Sequence, residues 1–296
     1  MLDSGGAGRK QHLGSGKHQP GPIRGPLGAE VGHEIALFAA AKQDRFDAVA
    51  RDDHVVGLKN PESALSGKGD VDSLAPPSDW PGIQALFVDW ARERGLGPVL
   101  ICRHIPQGPH FITVEPDSPY ILVLDVKERG TFRGSTIIDA WSLPPLSQID
   151  ERGFRRVRPG VEGVIKLCMN GVRRGGLPNE DALRVKKVAE LLRSDPDGMR
   201  LGATLLGHAA PHLIKGVAAL LDGGWDRGAM RRVELWSAAR AVAEPRTAIS
   251  RWWFVNIGAK RCPVIRLIRV ADRRAPGDDP QGWLRSVATD HELIEV

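Results

Sequence analysis

Ser66-Gly67-Lys68-Gly69-Asp70-Val71-Asp72-Ser73-Leu74 is the stretch on which the reading of this chain turns. From Asp70 onward polar and apolar residues alternate, the period of a half-buried strand. Residues i and i+2 of a strand project to one side, so Asp70 and Asp72 share a face. Two carboxylates held side by side repel each other unless a cation lies between them. Magnesium suits such a pair, because it takes a few carboxylate oxygens and completes its shell with substrate phosphate. The Gly-rich lead-in offers backbone N–H groups and a lysine with which to cradle an anion. It lacks the G-x-x-x-x-G-K-[ST] order and is not a P-loop.

Working outward, Val55-Val56-Gly57-Leu58 reads as a strand, and Asn60-Pro61-Glu62-Ser63 as the loop that follows it. Upstream, Ile35, Leu37, Phe38, Ala41, Phe46 and Val49 fall at helical spacing, predicting a helix from about Ala29 to Asp52. Downstream, Ala75-Pro76-Pro77 ends the acidic strand. Ser78 or Asp79 can cap a helix with Pro81 in its first turn and Ile83, Leu86, Phe87 and Trp90 on its apolar face. Pro98–Arg103, His110–Glu115 and Tyr120–Val126 are three further strands in a meander. The last contains Asp125 in the otherwise apolar run Ile121-Leu122-Val123-Leu124-Asp125-Val126. Such an acid needs a partner or a strand end. Pairing its strand beside Asp70-Val71-Asp72 gathers three carboxylates, as two-metal phosphoryl or nucleotidyl transfer requires.

The remainder is helical in pattern: Val161–Val172, Asn179–Arg193, Ala210–Leu221, Gly228–Ala243 and Arg246–Ile257. The predicted fold is therefore α+β. A small mixed sheet flanked by helices occupies residues 31–148, a mostly helical domain occupies 149–296, and 1–30 form a flexible tail rich in Gly and Pro. Charge follows the same division. Residues 31–150 carry a net −6 and residues 151–296 a net +9, within a total of +5. At 42% hydrophobic residues the 296-residue chain can bury a core. No apolar run reaches the length of a membrane span, and the start lacks the apolar segment of a secretory signal. Cys102, Cys168 and Cys262 are far apart, which argues against a zinc site or disulfide framework and suits a cytoplasmic location.

These features together resemble the minimal nucleotidyltransferases of the polymerase β-like superfamily. Val55-Val56-Gly57-Leu58-Lys59-Asn60 looks like the family's first strand. Gly69-Asp70-Val71-Asp72-Ser73-Leu74 looks like its G-x-D-h-D-h motif, and Leu122-Val123-Leu124-Asp125-Val126 like its third-carboxylate strand. The resemblance covers roughly residues 31–130 and implies transfer of a nucleoside monophosphate from an NTP such as ATP to an acceptor hydroxyl, with release of pyrophosphate. It implies that Asp70, Asp72 and Asp125 hold one or two Mg2+ ions, with Asp125 also in reach as a base, and that the helical remainder helps hold nucleotide or acceptor. One position departs from the pattern. Where the family has a Gly-Gly or Gly-Ser pair, this chain reads Lys59-Asn60-Pro61, and proline has no N–H to offer a phosphate. Lys59, Asn60, Ser66, Gly67 and Lys68 are the candidate phosphate contacts in its place, with Ser63 as a further substitute.

A second set of candidates lies in residues 151–174, which hold seven basic and two acidic side chains. Lys166 falls in the apolar turn Val164-Ile165-Lys166-Leu167-Cys168. A buried lysine must find an anion or lose its charge. It is either a ligand to the NTP phosphates or a lysine reaching solvent from a core helix. From Arg251 to Arg274, seven basic residues and one acid surround Trp252, Trp253 and Phe254. Such a segment packs as a helix with its charges toward water, or stacks bases and neutralises phosphates. Asp52-Asp53-His54 reads as a helix-to-strand joint. His104 and His110, flanking Ile105-Pro106-Gln107-Gly108-Pro109, read as turn residues, because no third ligand stands at metal-binding spacing.

The first functional expectation is therefore a Mg2+-dependent nucleotidyltransferase whose acceptor is a small molecule, an RNA or a protein. The alternatives are a catalytically impaired protein of that fold acting as a nucleic-acid binder or scaffold, and an unrelated metal-dependent phosphohydrolase. No membrane partner is expected.

Overall fold

A computed structural model describes residues 56–59, 71–103, 107–114, 121–149, 155–179, 184–258, 279–288 and 291–296. The predicted helix at 29–52, the tail at 1–30, the Asp52-Asp53-His54 joint, His104, Cys262 and the basic stretch beyond residue 258 lie outside the described residues.

The first two strands are β1 (Val56–Lys59) and β2 (Val71–Leu74), antiparallel, with Val56 opposite Leu74. Next comes helix α1 (Trp80–Glu93), with Asp79 before its first turn and Pro81 within it. Three strands follow, β3 (Val99–Cys102), β4 (His110–Val114) and β5 (Ile121–Lys127), paired antiparallel in sequence. The chain then returns β5 to lie parallel to β2. This parallel pair needs a long crossover, and α1 with the β3–β4 hairpin supplies it.

Alternation along these strands sorts the core into two faces. Val99, Ile101 and Phe111 cluster with Ile83, Phe87, Trp90 and Ala91 of α1. The Phe87 and Phe111 rings lie 5.7 Å apart, a tilted aromatic contact. Leu100, Cys102, Ile112, Ile121 and Val123 turn to the other face and meet Leu284 of α8 (Pro280–Val287) and Ala288 just beyond it.

The sheet draws on more of the chain than the pattern predicts. Strands β8 (Ser147–Ile149) and β9 (Arg155–Val157) straddle the expected boundary at 148/149, and β9 runs parallel to β1. Strand β12 (Glu292–Ile294) pairs with β3 from the far end of the chain. The result is an eight-stranded mixed sheet in the order β12-β3-β4-β5-β2-β1-β9-β8. A separate hairpin, β6 (Arg129–Phe132) with β7 (Ser135–Asp139), turns at Arg133-Gly134, both residues at positive φ.

Helices α2 (Pro159–Lys166), α3 (Val185–Ser194), α4 (Pro196–Thr204), α5 (Ala210–Leu221), α6 (Arg227–Ala243) and α7 (Pro245–Trp253) follow. The predicted helix 161–172 is shorter than expected. It ends at Lys166 in a widened π-type turn, and Val172-Arg173 form β10, paired with β11 (Leu177–Pro178). The helical core, including Val161, Ile165, Leu192, Leu213, Val217 and Met230, continues onto Leu74 and Val157 of the sheet. Cys168 lies inside it, and burial pushes its thiol up to about 12, so it is no nucleophile at neutral pH.

Asp195 joins two of these helices. It caps α4 by accepting from Gly198 N–H, and it also accepts from Gly160 N–H in the first turn of α2 and from the Arg158 guanidinium. The approach is close. A Cβ on Gly160 would stand 2.1 Å from the Asp195 carbonyl oxygen and 2.2 Å from Met199 N, so only glycine fits. Partial burial pushes the Asp195 carboxyl up, but Arg158 and the two N–H donors outweigh this and lower it. Its contribution to stability is then complete above the ordinary Asp range and is lost as pH falls through the lowered value. Asp195→Ala is expected to cost about 1–2 kcal/mol, a capping loss at the upper end. Denaturant titrations at neutral and acid pH should show the gap to the native protein narrowing in acid. An unchanged midpoint at neutral pH would refute this role.

Candidate active site

The pairing of β2 with β5 places Asp72 directly beside Asp125. On the other side of β5, antiparallel pairing sets His110 opposite Asp125. On the other side of β2, a bulged register sets Lys59 opposite Asp72. Four adjacent strands thus contribute Lys59, Asp72, Asp125 and His110 to one row across the sheet. Ser73 Oγ, 3.2 Å from the Asp125 carbonyl oxygen, donates to it and ties the two acidic strands together.

Asp72 and Asp125 are each 4% exposed. Buried carboxylates need a counter-charge, and Lys127 supplies it. Two residues after Asp125 on the same strand, it projects to the same face. Its ammonium lies 3.3 Å from Asp72 Oδ1 and also pairs with Asp125 Oδ2. His110 Nε2 stands 3.3 Å from the other oxygen, Asp125 Oδ1. No hydrogen bond of good geometry reaches that Oδ1 or His110 Nδ1 among the described residues, and both atoms are buried. Burial pushes the Asp125 carboxyl up, but His110 and Lys127 beside it overcome this and hold it well below the usual carboxylate range. Burial likewise pushes the Lys127 ammonium down, and Asp125 followed by Asp72 raises it above the usual lysine range.

One compact cation already touches an oxygen of each carboxylate. Hard oxygen donors on neighbouring strands are what Mg2+ takes. Among the described residues, no group of three His, Cys, Asp or Glu side chains is placed to hold a metal ion. Asp70 lies outside the described residues, as do Asn60, Ser63, Ser66, Gly67 and Lys68.

Lys166 is placed elsewhere, in a buried cluster. Its ammonium lies 2.6 Å from Glu162 Oε1, one helical turn earlier, while Arg156 Nη2 donates to Glu162 Oε2 at 3.0 Å. At 7% exposure Lys166 does not reach solvent, so it is not a snorkelling lysine. Arg156 lies beside Gly57 of β1, two strands from Asp72. Trp252 and Trp253, which the sequence allows to pack or to stack, are 60% and 42% exposed.

Two residues of the site escaped sequence reasoning. His110 opens β4, as the predicted strand His110–Glu115 has it, but with no third ligand at metal-binding spacing it reads as a turn residue rather than as part of a site. The sequence pattern gives Lys127 no role, although its i+2 relation to Asp125 sets both on one face. Comparison of the chain with protein-family models, curated proteins and solved structures finds no match. No helix among the described residues is long and apolar enough to cross a membrane.

Proposed function

We propose that this protein is a Mg2+-dependent nucleotidyltransferase, moving a nucleoside monophosphate from an NTP to an acceptor hydroxyl. The observation that carries the reading is the parallel register of Asp72 and Asp125, whose buried carboxylates share one cation. Asp72 and Asp125 would hold the metal, and the spacing of the sequence proposes Asp70 as a third ligand. When bound, the ion supplies charge neutralisation at the transferring phosphoryl group. Asp125, held below the usual carboxylate range, stays ionised and is a poor proton acceptor. Its task is to hold charge rather than to act as the base. His110 braces it from the neighbouring strand. Lys59, at the row's edge beside Asp72, is a candidate phosphate contact. The acceptor is a small molecule, an RNA or a protein.

The test is incubation with labelled NTPs, Mg2+ and candidate acceptors. Label transfer that needs Mg2+ and disappears in Asp72→Asn or Asp125→Asn supports the reading. Transfer that persists in both refutes it, and free phosphate released without an acceptor points to a phosphohydrolase.

A second reading is favoured by the exposure of Trp252 and Trp253 beside Arg251 on α7. Exposed indoles can stack bases. In that case the protein binds nucleic acid, its affinity falls steeply with salt, and Asp125→Asn leaves binding unchanged.

A further inference from the structure

We propose that Lys127 is a resident counter-cation that a divalent ion must displace from between Asp72 and Asp125. The site would therefore bind free divalent metal weakly and take it together with nucleotide phosphates. This inference rests on the nucleotidyltransferase reading and adds a residue and an order of binding to it.

Lys127 follows Asp125 by two positions, so its stem leaves the same face, and its backbone sits beside Leu74 in the parallel register. From there the ammonium turns back along the strand to pair with the near oxygens of both carboxylates. These are the two carboxylates that would hold a divalent ion, across the gap the ammonium fills. An ammonium and a divalent ion cannot share that gap. Both are positive, and like charges a few ångströms apart in a buried site repel by several kcal/mol. One of them must leave.

Lysine is suited to leaving. Its charge is a single point on four rotatable methylenes, unlike the rigid fork of arginine. What it needs is another anion to receive it, and the nucleotide triphosphate is such an anion. Metal and phosphate arriving together replace the ammonium at the carboxylates and receive it at once. Metal alone leaves the ammonium without a partner in a mostly buried position, at 18% side-chain exposure. A further observation points to a ligand at this place. Asp125 Oδ1 is buried without a well-formed hydrogen bond among the described residues. Lys127 pairs with the other oxygen, Oδ2, and His110 Nε2 stands 3.3 Å from Oδ1, so the carboxylate keeps acceptor capacity with Lys127 in place.

The same contact explains how the strands pair without metal. Two carboxylates at one register position would repel as the strands come together, and Lys127 neutralises one of the two charges.

The experiment is Mn2+ binding to the full chain, measured by electron paramagnetic resonance with and without a non-hydrolysable NTP analogue. Native protein and Lys127→Met are compared. Without nucleotide, Lys127→Met is expected to bind Mn2+ at least about tenfold more tightly than native protein, since a repelling charge has gone. With the analogue present the gap should shrink. Thermal melting gives a second readout independent of activity. Lys127→Met should melt below native protein in EDTA and regain most of the difference when Mn2+ is added, while native protein responds little. Should Lys127→Met not fold, Lys127→Gln, which keeps amide donors toward the carboxylates without the charge, carries the same measurements. Equal or weaker Mn2+ binding by the variant overturns the role given to Lys127, and leaves the transferase reading standing if Asp125-dependent transfer persists. No Mn2+ binding by either protein, with or without the analogue, overturns both.

Discussion

Asp125→Asn is expected to lower the proposed Mg2+-dependent nucleotidyl transfer by about 1,000-fold while leaving the protein folded. The size follows from the charge removed. A metal ion at a phosphoryl group stabilises the transition state by several kcal/mol, and about 4 kcal/mol corresponds to a factor of roughly 1,000 in rate. Folding should survive, because asparagine keeps the shape and Lys127 retains its contact with Asp72. Single-turnover transfer gives the first quantity and a melting curve the second. Residual transfer within tenfold of native protein would remove Asp125 from the metal site. The pH profile sharpens the test. Asp125 is held below the usual carboxylate range, so its stabilising contribution is complete above the ordinary Asp value and is lost only as pH falls through the lowered one. Lys127 is raised, so its contribution is complete below the ordinary lysine value and is lost only as pH rises through the raised one. In the metal-free protein both contributions to stability are therefore present near neutral pH.

Parts of this site are readable in sequence because they depend on local period. Alternation at Asp72-Ser73-Leu74 and through Ile121–Lys127 fixes which side chains share a face, and helical spacing at Ile83, Phe87 and Trp90 fixes the buried stripe of α1. What local period cannot give is which strand lies beside which. His110 becomes a neighbour of Asp125 only through the antiparallel register of β4 with β5. The edge strand β12 reaches β3 across some 190 residues of sequence and is too short to carry a period. Strands β8 and β9 sit in a segment dominated by arginines and prolines, where the charge pattern draws the reading toward a helical domain. The β6–β7 hairpin had a local signal that was missed. Arg133-Gly134 is a two-residue turn with both residues at positive φ, and glycine at the second position is its mark.

The largest stability effect is expected at Glu162. This carboxylate is 1% exposed and is shared by two cations, Arg156 Nη2 at 3.0 Å and Lys166 Nζ at 2.6 Å. The cluster fastens α2 to β9, next to β1 and two strands from Asp72. Glu162→Gln keeps the volume and removes the charge, leaving two buried cations in place. Removing one partner of a buried ion pair costs about 3–5 kcal/mol, because the remaining charge stays out of water. A fall of that size in unfolding free energy, read from denaturant titration, is the expected result, and a midpoint equal to the native one would refute the bridging role. Lys166→Met is the informative counterpart. It removes one of the two cations and leaves Arg156 and Glu162 as a matched pair, so its cost in stability should be much the smaller of the two. That separation also tests the phosphate role which the sequence suggests for Lys166. Were Lys166 to contact the triphosphate, Lys166→Met would weaken nucleotide binding with little change in melting. Were its partner Glu162 alone, nucleotide binding would be unmoved. A single pair of variants therefore distinguishes a lysine that holds the helix to the sheet from one that also holds the substrate.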